Sequence, residues 1–174
     1  GLRDPQGLFY SKEDNIIFST DHGPIGGDEV NFQNLNQEKF VNFGWPISSY
    51  GYHKPSETES IMKKYPYRKF HKKYNFKEPL FHANKISIPP TQIILANSFI
   101  KFKDKKVLYF GSLGWLVKNR QRSIHQLILN NNLSLYEHNI IKVDERVRDL
   151  ALDPINNKIF FVFKNSMGII ETSD

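Results

Sequence analysis

Short apolar runs separated by polar turns recur along the chain, and no long segment shows the 3.6-residue period of an amphipathic helix. Turn-forming residues close the runs, as at residues 11–14, 130–132 and 153–157. Many short strands with regular turns are typical of a β-sandwich, a barrel or a propeller, and periodicity alone does not separate these all-β folds. Strands are predicted at residues 8–10, 15–19, 29–32, 86–94, 107–113, 123–129, 133–138, 140–143, 147–152, 158–163 and 168–171.

A glycine-rich loop at residues 21–31 interrupts this pattern. Three glycines and a proline between positions 23 and 27 exclude a helix or a regular strand interior. Such a loop can turn its backbone carbonyls toward a ligand, and the carboxylates of Asp28 and Glu29 follow at once. Carbonyl and carboxylate oxygens are the ligands that calcium prefers. The alternative is a tight hairpin with a solvated acidic tip.

The composition fits one globular domain with a core, because the chain has 174 residues of which 39% are hydrophobic. No apolar run is long enough to cross a bilayer, so no membrane span is predicted. The absence of cysteine excludes disulfides, thiolate metal sites and a cysteine nucleophile. The net charge of +6 favours acidic ligands in general without choosing among them.

Residues 53–77 differ from the rest, because basic residues alternate with aromatic ones and apolar periodicity is weak. We interpret this stretch as a surface insertion, a solvated loop anchored by a few rings. The alternative is an anion or nucleic-acid patch with aromatics stacked between cations. A charge run without a binding fold is weak evidence, so nucleic acid is not the expected partner.

Four short pieces, at residues 1–8, 21–31, 42–46 and 145–150, resemble in this order the glucose/sorbosone dehydrogenase family. Its members are six-bladed β-propellers, many of which oxidise sugars with pyrroloquinoline quinone (PQQ) and calcium. A blade takes about 40–45 residues, so the resemblance implies roughly the last three blades over residues 1–174. The chain then looks like the C-terminal part of a longer protein whose N-terminal half completes the propeller, and half a ring should expose two apolar blade faces.

The resemblance also implies which residues contact the cofactor. Three residues in or beside the cofactor-binding motifs differ from those usual in the family. They are Asp4 where the family has Asn, Ile25 where it often has Arg, and Gly114 where many members have Lys. Each departure removes a donor or a cation from the implied site. The positions that match the PQQ contacts of the family are Arg3, Asp4, Ser112, Leu113, Gly114, Arg146, Val147 and Arg148.

Arg146 and Arg148 flank Val147, so on a strand both would point to one face. Two guanidinium groups on one face without a carboxylate suit a polyanionic ligand. The alternative is that they pair with neighbouring carboxylates, which are Asp144, Glu145 and Asp149.

Calcium ligands are implied by the same resemblance. Backbone carbonyls at Gly23 and Pro24 match positions that hold the cofactor's calcium in some members. Glu29 and the carbonyl at Phe43 match the ligands of a structural calcium in others. A carbonyl ligand is unaffected by the side chain, so Phe43 in place of the usual Tyr preserves it.

No catalytic residue is assigned in this chain, because its six histidines show no metal-ligand spacing and the histidine base of the family lies N-terminal to the matched region. The first functional hypothesis is the C-terminal part of a PQQ- and calcium-dependent sugar dehydrogenase-like protein. It would oxidise a sugar C1 hydroxyl by hydride transfer to PQQ, pass electrons to an external acceptor, and be periplasmic or secreted. The alternative is a non-catalytic calcium-binding propeller that acts as a protein or glycan binding module.

Overall fold

A computed structural model describes residues 1–37, 39–52, 70–84, 86–97, 104–114 and 122–171. These residues form eleven strands and one short helix, which confirms the all-β prediction. One strand replaces the two predicted at residues 133–138 and 140–143. The elements are β1 (Pro5–Ser11), β2 (Ile16–Asp21), β3 (Glu29–Asn34), α1 (His71–Tyr74), β4 (Phe81–His82), β5 (Pro90–Leu95), β6 (Lys105–Ser112), β7 (Ser123–Asn130), β8 (Leu135–Lys142), β9 (Asp149–Asp153), β10 (Lys158–Val162) and β11 (Met167–Glu171).

The strands form three antiparallel sheets in which each strand pairs with the next along the chain. The first sheet holds β1 to β4, the second β5 to β8 and the third β9 to β11. Strand β1 contacts β5, and β5 contacts β9, so the first strands of the three sheets lie side by side. Consecutive antiparallel meanders of about four strands with adjacent first strands are typical of the blades of a propeller. The two four-stranded sheets and the third, with three described strands, therefore correspond to the three blades implied by the family resemblance.

The inner strands of the second blade are buried on both faces, which explains the apolar run at residues 107–110 of β6. Val107 and Tyr109 belong to the cluster shared with the third blade, whereas Leu108 and Phe110 belong to the cluster shared with the first. Successive side chains of a strand point to opposite faces, so a strand between two packed blades must be apolar at every position.

The first blade has one apolar and one polar face. Phe18 and Val30 pack against the second blade, whereas Asp21, Glu29 and Asn31 occupy the opposite face and are also buried. The end of this face that carries Asp21 and Glu29 is covered by a capping segment, residues 39–52 and 70–80. The first blade therefore does not expose a whole apolar face as expected, but Leu8 and Tyr10 on the same face are 64% and 50% exposed.

The outward face of the third blade does carry exposed apolar side chains. The opposite face of the same strands contributes Ile159 and Phe161 to the core shared with the second blade. The outward positions of β10 and β11 include Val162, Met167 and Ile169, which are 39%, 75% and 49% exposed. One of the two exposed apolar blade faces expected from the sequence is thus present.

Most of the predicted surface insertion, residues 53–69, lies outside the described residues. Within residues 70–77, Lys72 and Lys73 are exposed as expected for a solvated loop. His71 is not, because its side chain has no exposed surface. No helix in the described part of the chain has both the length and the apolar character to span a membrane.

The first and second blades approach most closely at Gly7. Its N–H donates to Oγ1 of Thr20 at 2.8 Å, and that hydroxyl donates to the carbonyl oxygen of Thr91 at 2.7 Å. A Cβ on Gly7 would lie 2.5 Å from that carbonyl oxygen and 2.9 Å from Cα of Gln92. A side chain therefore cannot be added without moving β1 away from β5.

We expect Gly7→Ala to lower the free energy of unfolding by about 1–3 kcal/mol, the usual effect of overpacking a buried site. Urea denaturation followed by circular dichroism measures the change. Leu8→Ala is the matched control, because Leu8 is 64% exposed and should shift stability by about 0.5 kcal/mol or less. Equal stability of Gly7→Ala and the parent would contradict this close approach of β1 and β5.

Candidate functional site

A small cavity lies between the glycine-rich loop, the polar face of the first blade and the capping segment. The space open to the centre of a water-sized sphere is about 10 Å³, which is room for one water molecule or one ion. All four residues that the sequence implies as metal ligands contribute to its wall. The lining residues are Gly1, Arg3, Asp21, Gly23, Pro24, Gly27, Glu29, Phe43, Trp45, Ser48 and Ser49.

The loop can enclose this cavity because its glycines allow close backbone contacts. Gly27 has a φ of +69°, and a Cβ there would clash with the backbone of Gly51. A Cβ on Gly23 would clash with the carbonyl of Gly26. The solvated hairpin considered above is therefore wrong, since the loop folds back on the capping segment.

The two aspartates beside the cavity are buried and bind backbone N–H groups. Asp21 accepts from the N–H of Arg3 at 2.9 Å and from that of Asp4 at 2.6 Å. Asp28 accepts from the N–H of Gly23 at 2.9 Å and from that of Ile88 at 2.6 Å. Burial raises the pKa of both carboxyl groups, and these backbone donors oppose the rise.

Glu29 is buried with far less compensation. Its only hydrogen-bond donor among the described residues is the amide of Asn31, which lies 3.2 Å from Oε2. Burial raises the pKa of Glu29 to about 8, against the hydrogen bond from Asn31 and with the help of the negative charges of Asp21, Asp28 and Glu78. A cation in the cavity would remove this cost by neutralising the carboxylate.

The donors around the cavity suit calcium. They are the carboxylates of Glu29 and Asp21 and the carbonyls of Gly23, Pro24 and Phe43, and all are oxygen atoms. No backbone N–H of a described residue donates to the carbonyls of Gly23 or Pro24. No group of three or more His, Cys, Asp or Glu side chains in the described ranges could hold a metal, so carbonyls must complete any site. This oxygen-rich donor set and the size of the cavity fit a calcium ion.

His71 contacts two residues that line the cavity, Phe43 and Ser48, which the sequence did not indicate. Its Nε2 lies 2.9 Å from the carbonyl oxygen of Phe43, and its Nδ1 lies 2.8 Å from Oγ of Ser48. The Ser48 hydroxyl also accepts from the N–H of Phe70 at 3.0 Å. Sequence reasoning missed His71 because its partners stand more than 20 residues away and its neighbours form a basic, aromatic stretch.

A separate open cleft lies where the three innermost strands begin. Its volume is about 370 Å³. The cleft lies at the same end of all three blades, because β1, β5 and β9 each contribute at least one residue from their first three positions. The lining residues are Gln6, Thr91, Gln92, Leu113, Arg148 and Asp149.

The predicted cofactor residues divide between the cavity and the cleft. Arg3 lines the cavity, and its Nη1 donates to the carbonyl of His22 at 3.3 Å. The carboxylate of Asp4 lies 4.0 Å from Nη1 of Arg3 and 3.5 Å from Nδ1 of His22. It also accepts from Nε2 of Gln6 at 2.8 Å, and Gln6 lines the cleft. Asp4 therefore stands between the two spaces.

The other two predicted cofactor segments meet each other at the cleft. The N–H of Val147 donates to the carbonyl of Ser112 at 3.2 Å, and Val147 is fully buried. The N–H of Gly114 donates to Oγ of Ser112 at 3.2 Å. Of the two segments, Leu113 and Arg148 line the cleft, and the remaining four residues do not.

The expectation that Arg146 and Arg148 lie on a strand is wrong, because residues 146–148 precede β9. Val147 is buried, whereas Arg146 is partly exposed and Arg148 is exposed. No carboxylate oxygen of a described residue lies within 4.0 Å of either guanidinium, so the alternative interpretation, pairing with neighbouring carboxylates, is not seen. The cleft is nevertheless not free of carboxylates, since Asp149 lines it together with Arg148.

Two further histidines pack away from both spaces. Nδ1 of His125 lies 2.8 Å from Nε2 of His138, and the ring of His138 meets that of Phe81 across the interface of the first two blades. Burial lowers the pKa of His125 to about 3, with a further contribution from the charge of His138. This pair belongs to the core between blades.

The family model described as Glucose / Sorbosone dehydrogenase matches residues 1–171. The chain belongs to the glucose/sorbosone dehydrogenase family. Aldose sugar dehydrogenase YliI of Escherichia coli is 39% identical over 51 residues, which are 29% of this chain and 13% of that protein. An uncharacterized protein of Synechocystis is 28% identical over 163 residues, covering 88% of this chain and 33% of the relative.

Solved structures agree on the fold. A crystal structure of glucose dehydrogenase superposes with a TM-score of 0.73 at 20% identity, over 100% of this chain and 46% of that one. The apo form of the soluble aldose sugar dehydrogenase of Escherichia coli gives 0.69 at 23% identity, over 97% and 44%. This chain of the glucose/sorbosone dehydrogenase family thus spans less than half the length of each of these relatives.

We expect the metal-free protein to lose stability as pH rises from about 4.5 to 8. The folded state keeps the Glu29 proton up to about pH 8, whereas an unfolded glutamate releases it near 4.5, so the folded state binds more protons across this window. The loss attributable to Glu29 is about 1.4 kcal/mol per pH unit. Chemical denaturation in a chelator at several pH values measures it.

Glu29→Gln should flatten this pH dependence, because the amide does not ionise. Glu13→Gln is the control, since Glu13 is exposed in a turn and should leave the profile as in the parent. Parallel pH profiles for Glu29→Gln and the parent would show that the buried carboxyl is not the source of the effect.

Proposed function

We propose that this chain supplies a calcium site and part of the cofactor site of a PQQ-dependent sugar dehydrogenase-like propeller. The observation that carries the proposal is the small cavity, which collects Gly23, Pro24, Glu29 and Phe43 around space for one ion. The cleft with Leu113 and Arg148 lies at the adjoining ends of the innermost strands. Membership of the glucose/sorbosone dehydrogenase family supports the same assignment.

Calcium would be held by the carboxylate of Glu29 and by the carbonyls of Gly23, Pro24 and Phe43. The high pKa of Glu29 supports this role, because a buried carboxyl without a cation is costly to ionise. The ion would also screen Glu29 from the neighbouring carboxylates of Asp21 and Asp28. Removing calcium should therefore loosen the glycine-rich loop, whose carbonyls would lose their partner.

The cofactor would be held through its carboxylates by arginines. Arg148 lines the cleft, and Arg146 lies two residues earlier with its guanidinium free of carboxylates among the described residues. A guanidinium can donate two parallel hydrogen bonds to one carboxylate. Arg3 would contribute from the cavity side, with Asp4, Ser112, Gly114 and Val147 shaping the surrounding backbone. PQQ, when bound, supplies the hydride acceptor for oxidation of a sugar C1 hydroxyl.

The remaining parts of the reaction lie outside the residues assigned here. No described residue is proposed as the base that takes the hydroxyl proton. His22, the histidine of the glycine-rich loop, instead contacts the carbonyl oxygen of Pro90 through Nε2 at 2.7 Å. The proposed partners are a sugar, an external electron acceptor and further blades of the same propeller. A periplasmic or secreted location is proposed from the family.

A second candidate is a calcium-binding propeller that has lost PQQ and binds a protein or a glycan. The observation that favours it is the carboxylate of Asp4 beside Arg3, with Gly114 where many family members place a lysine. A carboxylate adds negative charge where an anionic cofactor must approach. The two candidates share the calcium site and differ in the cleft.

We expect PQQ to bind the longest natural version of this chain in a calcium-dependent way, as measured by calorimetric titration with and without calcium. Arg148→Gln should weaken PQQ binding by about 10- to 100-fold, because it removes charge-assisted hydrogen bonds worth about 1.5–3 kcal/mol. Lys142→Gln is the control, since it removes one positive charge from an exposed position on β8.

Calcium binding without PQQ binding would sink the dehydrogenase proposal and favour the second candidate. Binding of both would lead to an assay of dye-linked sugar oxidation. Failure of calcium to bind the folded protein would overturn both candidates, because each assigns the cavity to that ion.

A further inference from the structure

The capping segment contains a fully buried histidine, His71, that contacts two residues lining the small cavity, Phe43 and Ser48. His71 has no exposed surface, and each of its ring nitrogens has one partner. Neither partner comes from the strands of the first blade. Phe43 and Ser48 precede His71 by 28 and 23 residues, so these contacts join the two parts of the capping segment.

The partners fix the tautomer of His71. A carbonyl oxygen can only accept, so Nε2 carries the hydrogen that is donated to Phe43 at 2.9 Å. In the neutral ring Nδ1 is then an acceptor, and the hydroxyl of Ser48 donates to it at 2.8 Å. The N–H of Phe70 satisfies the oxygen of that hydroxyl at 3.0 Å. The relay from Phe70 to Phe43 thus has a donor and an acceptor at every step.

The end of the relay is a proposed calcium ligand. A carbonyl oxygen has two lone pairs, so the carbonyl of Phe43 can accept from His71 and still bind a cation. The hydrogen bond fixes the direction of this carbonyl beside Gly44, whose φ of +105° marks an unusual backbone turn. A Cβ on Gly44 would lie 3.1 Å from Nε2 of His71, so the ring and the turn are closely packed.

We infer that His71 is a positioning residue for the metal site, which it sets by holding the carbonyl of Phe43 toward the cavity. Ser48 acts through His71 by fixing its tautomer. This inference rests on the proposed calcium site and adds to it residues from the capping segment. Groups that orient a metal ligand in this way typically change metal affinity by about 10- to 100-fold when removed.

Two amides test the geometry at nearly constant polarity. His71→Gln places an amide nitrogen near the position of Nε2 and can still donate to Phe43. His71→Asn is too short to do so. We expect His71→Asn to weaken calcium binding by about 10- to 100-fold and His71→Gln to retain affinity within about threefold.

Affinity is read by calorimetry with calcium and by terbium luminescence. Trp45 lines the cavity and can sensitise terbium bound there, so Trp45→Phe should remove the emission while calcium still binds. Melting in a chelator separates affinity from folding. The metal-free melting temperature of each variant shows how far the substitution alone lowers stability, and calcium affinity is compared only among variants that fold.

Ser48→Ala provides a second route if His71→Asn does not fold. It keeps the imidazole but frees its tautomer, so calcium affinity should fall by about tenfold. Equal calcium affinity of the parent, His71→Asn and Ser48→Ala would overturn the role of His71 while leaving the calcium site intact. A parent protein that binds neither calcium nor terbium would overturn the proposed site itself.

Discussion

The burial of three carboxyl groups in the first blade is the constraint on which the site depends. A carboxylate removed from water must be hydrogen-bonded or balanced by a cation. Asp21 and Asp28 meet this demand with backbone N–H groups, among them those of Arg3 and Ile88. Glu29 receives one amide hydrogen bond and keeps a high pKa. The protein therefore satisfies two of the three groups with backbone donors and leaves Glu29 with a single side-chain donor among the described residues.

The same hydrogen bonds tie the blades to one another. Asp21 fixes the residues that lead into β1, and Asp28 fixes those that lead into β5. Between these points, the hydroxyl of Thr20 links the N–H of Gly7 to the carbonyl of Thr91. The innermost strands are consequently held together where they begin, and the cleft forms at that end. Asp28 in the glycine-rich loop and Thr20 on the inward face of the first blade thus set where the second blade places its first residues.

Local pattern was enough to predict the strands, since a blade buried on both faces requires apolar residues at successive positions, as in β6. It was also enough to exclude regular structure from the glycine-rich loop. It could not predict that the loop folds against Gly51, or that His71 reaches Phe43, because both depend on contacts between distant residues. The strand predicted from residue 147 begins two residues later, at Asp149, because Val147 bonds to Ser112 of the second blade and only the N–H of Arg148 reaches Val162 of β10.

The cavity and the cleft differ in how much of each this chain supplies. The cavity is enclosed by the loop, the polar face of the first blade and the capping segment, all from the same chain. The cleft is bounded by the ends of three innermost strands and holds both Arg148 and Asp149. An anion entering it must offset the charge of Asp149 as well as gain that of Arg148. Every residue proposed to hold calcium therefore belongs to this chain, whereas an anion in the cleft would need positive charge beyond that of Arg148.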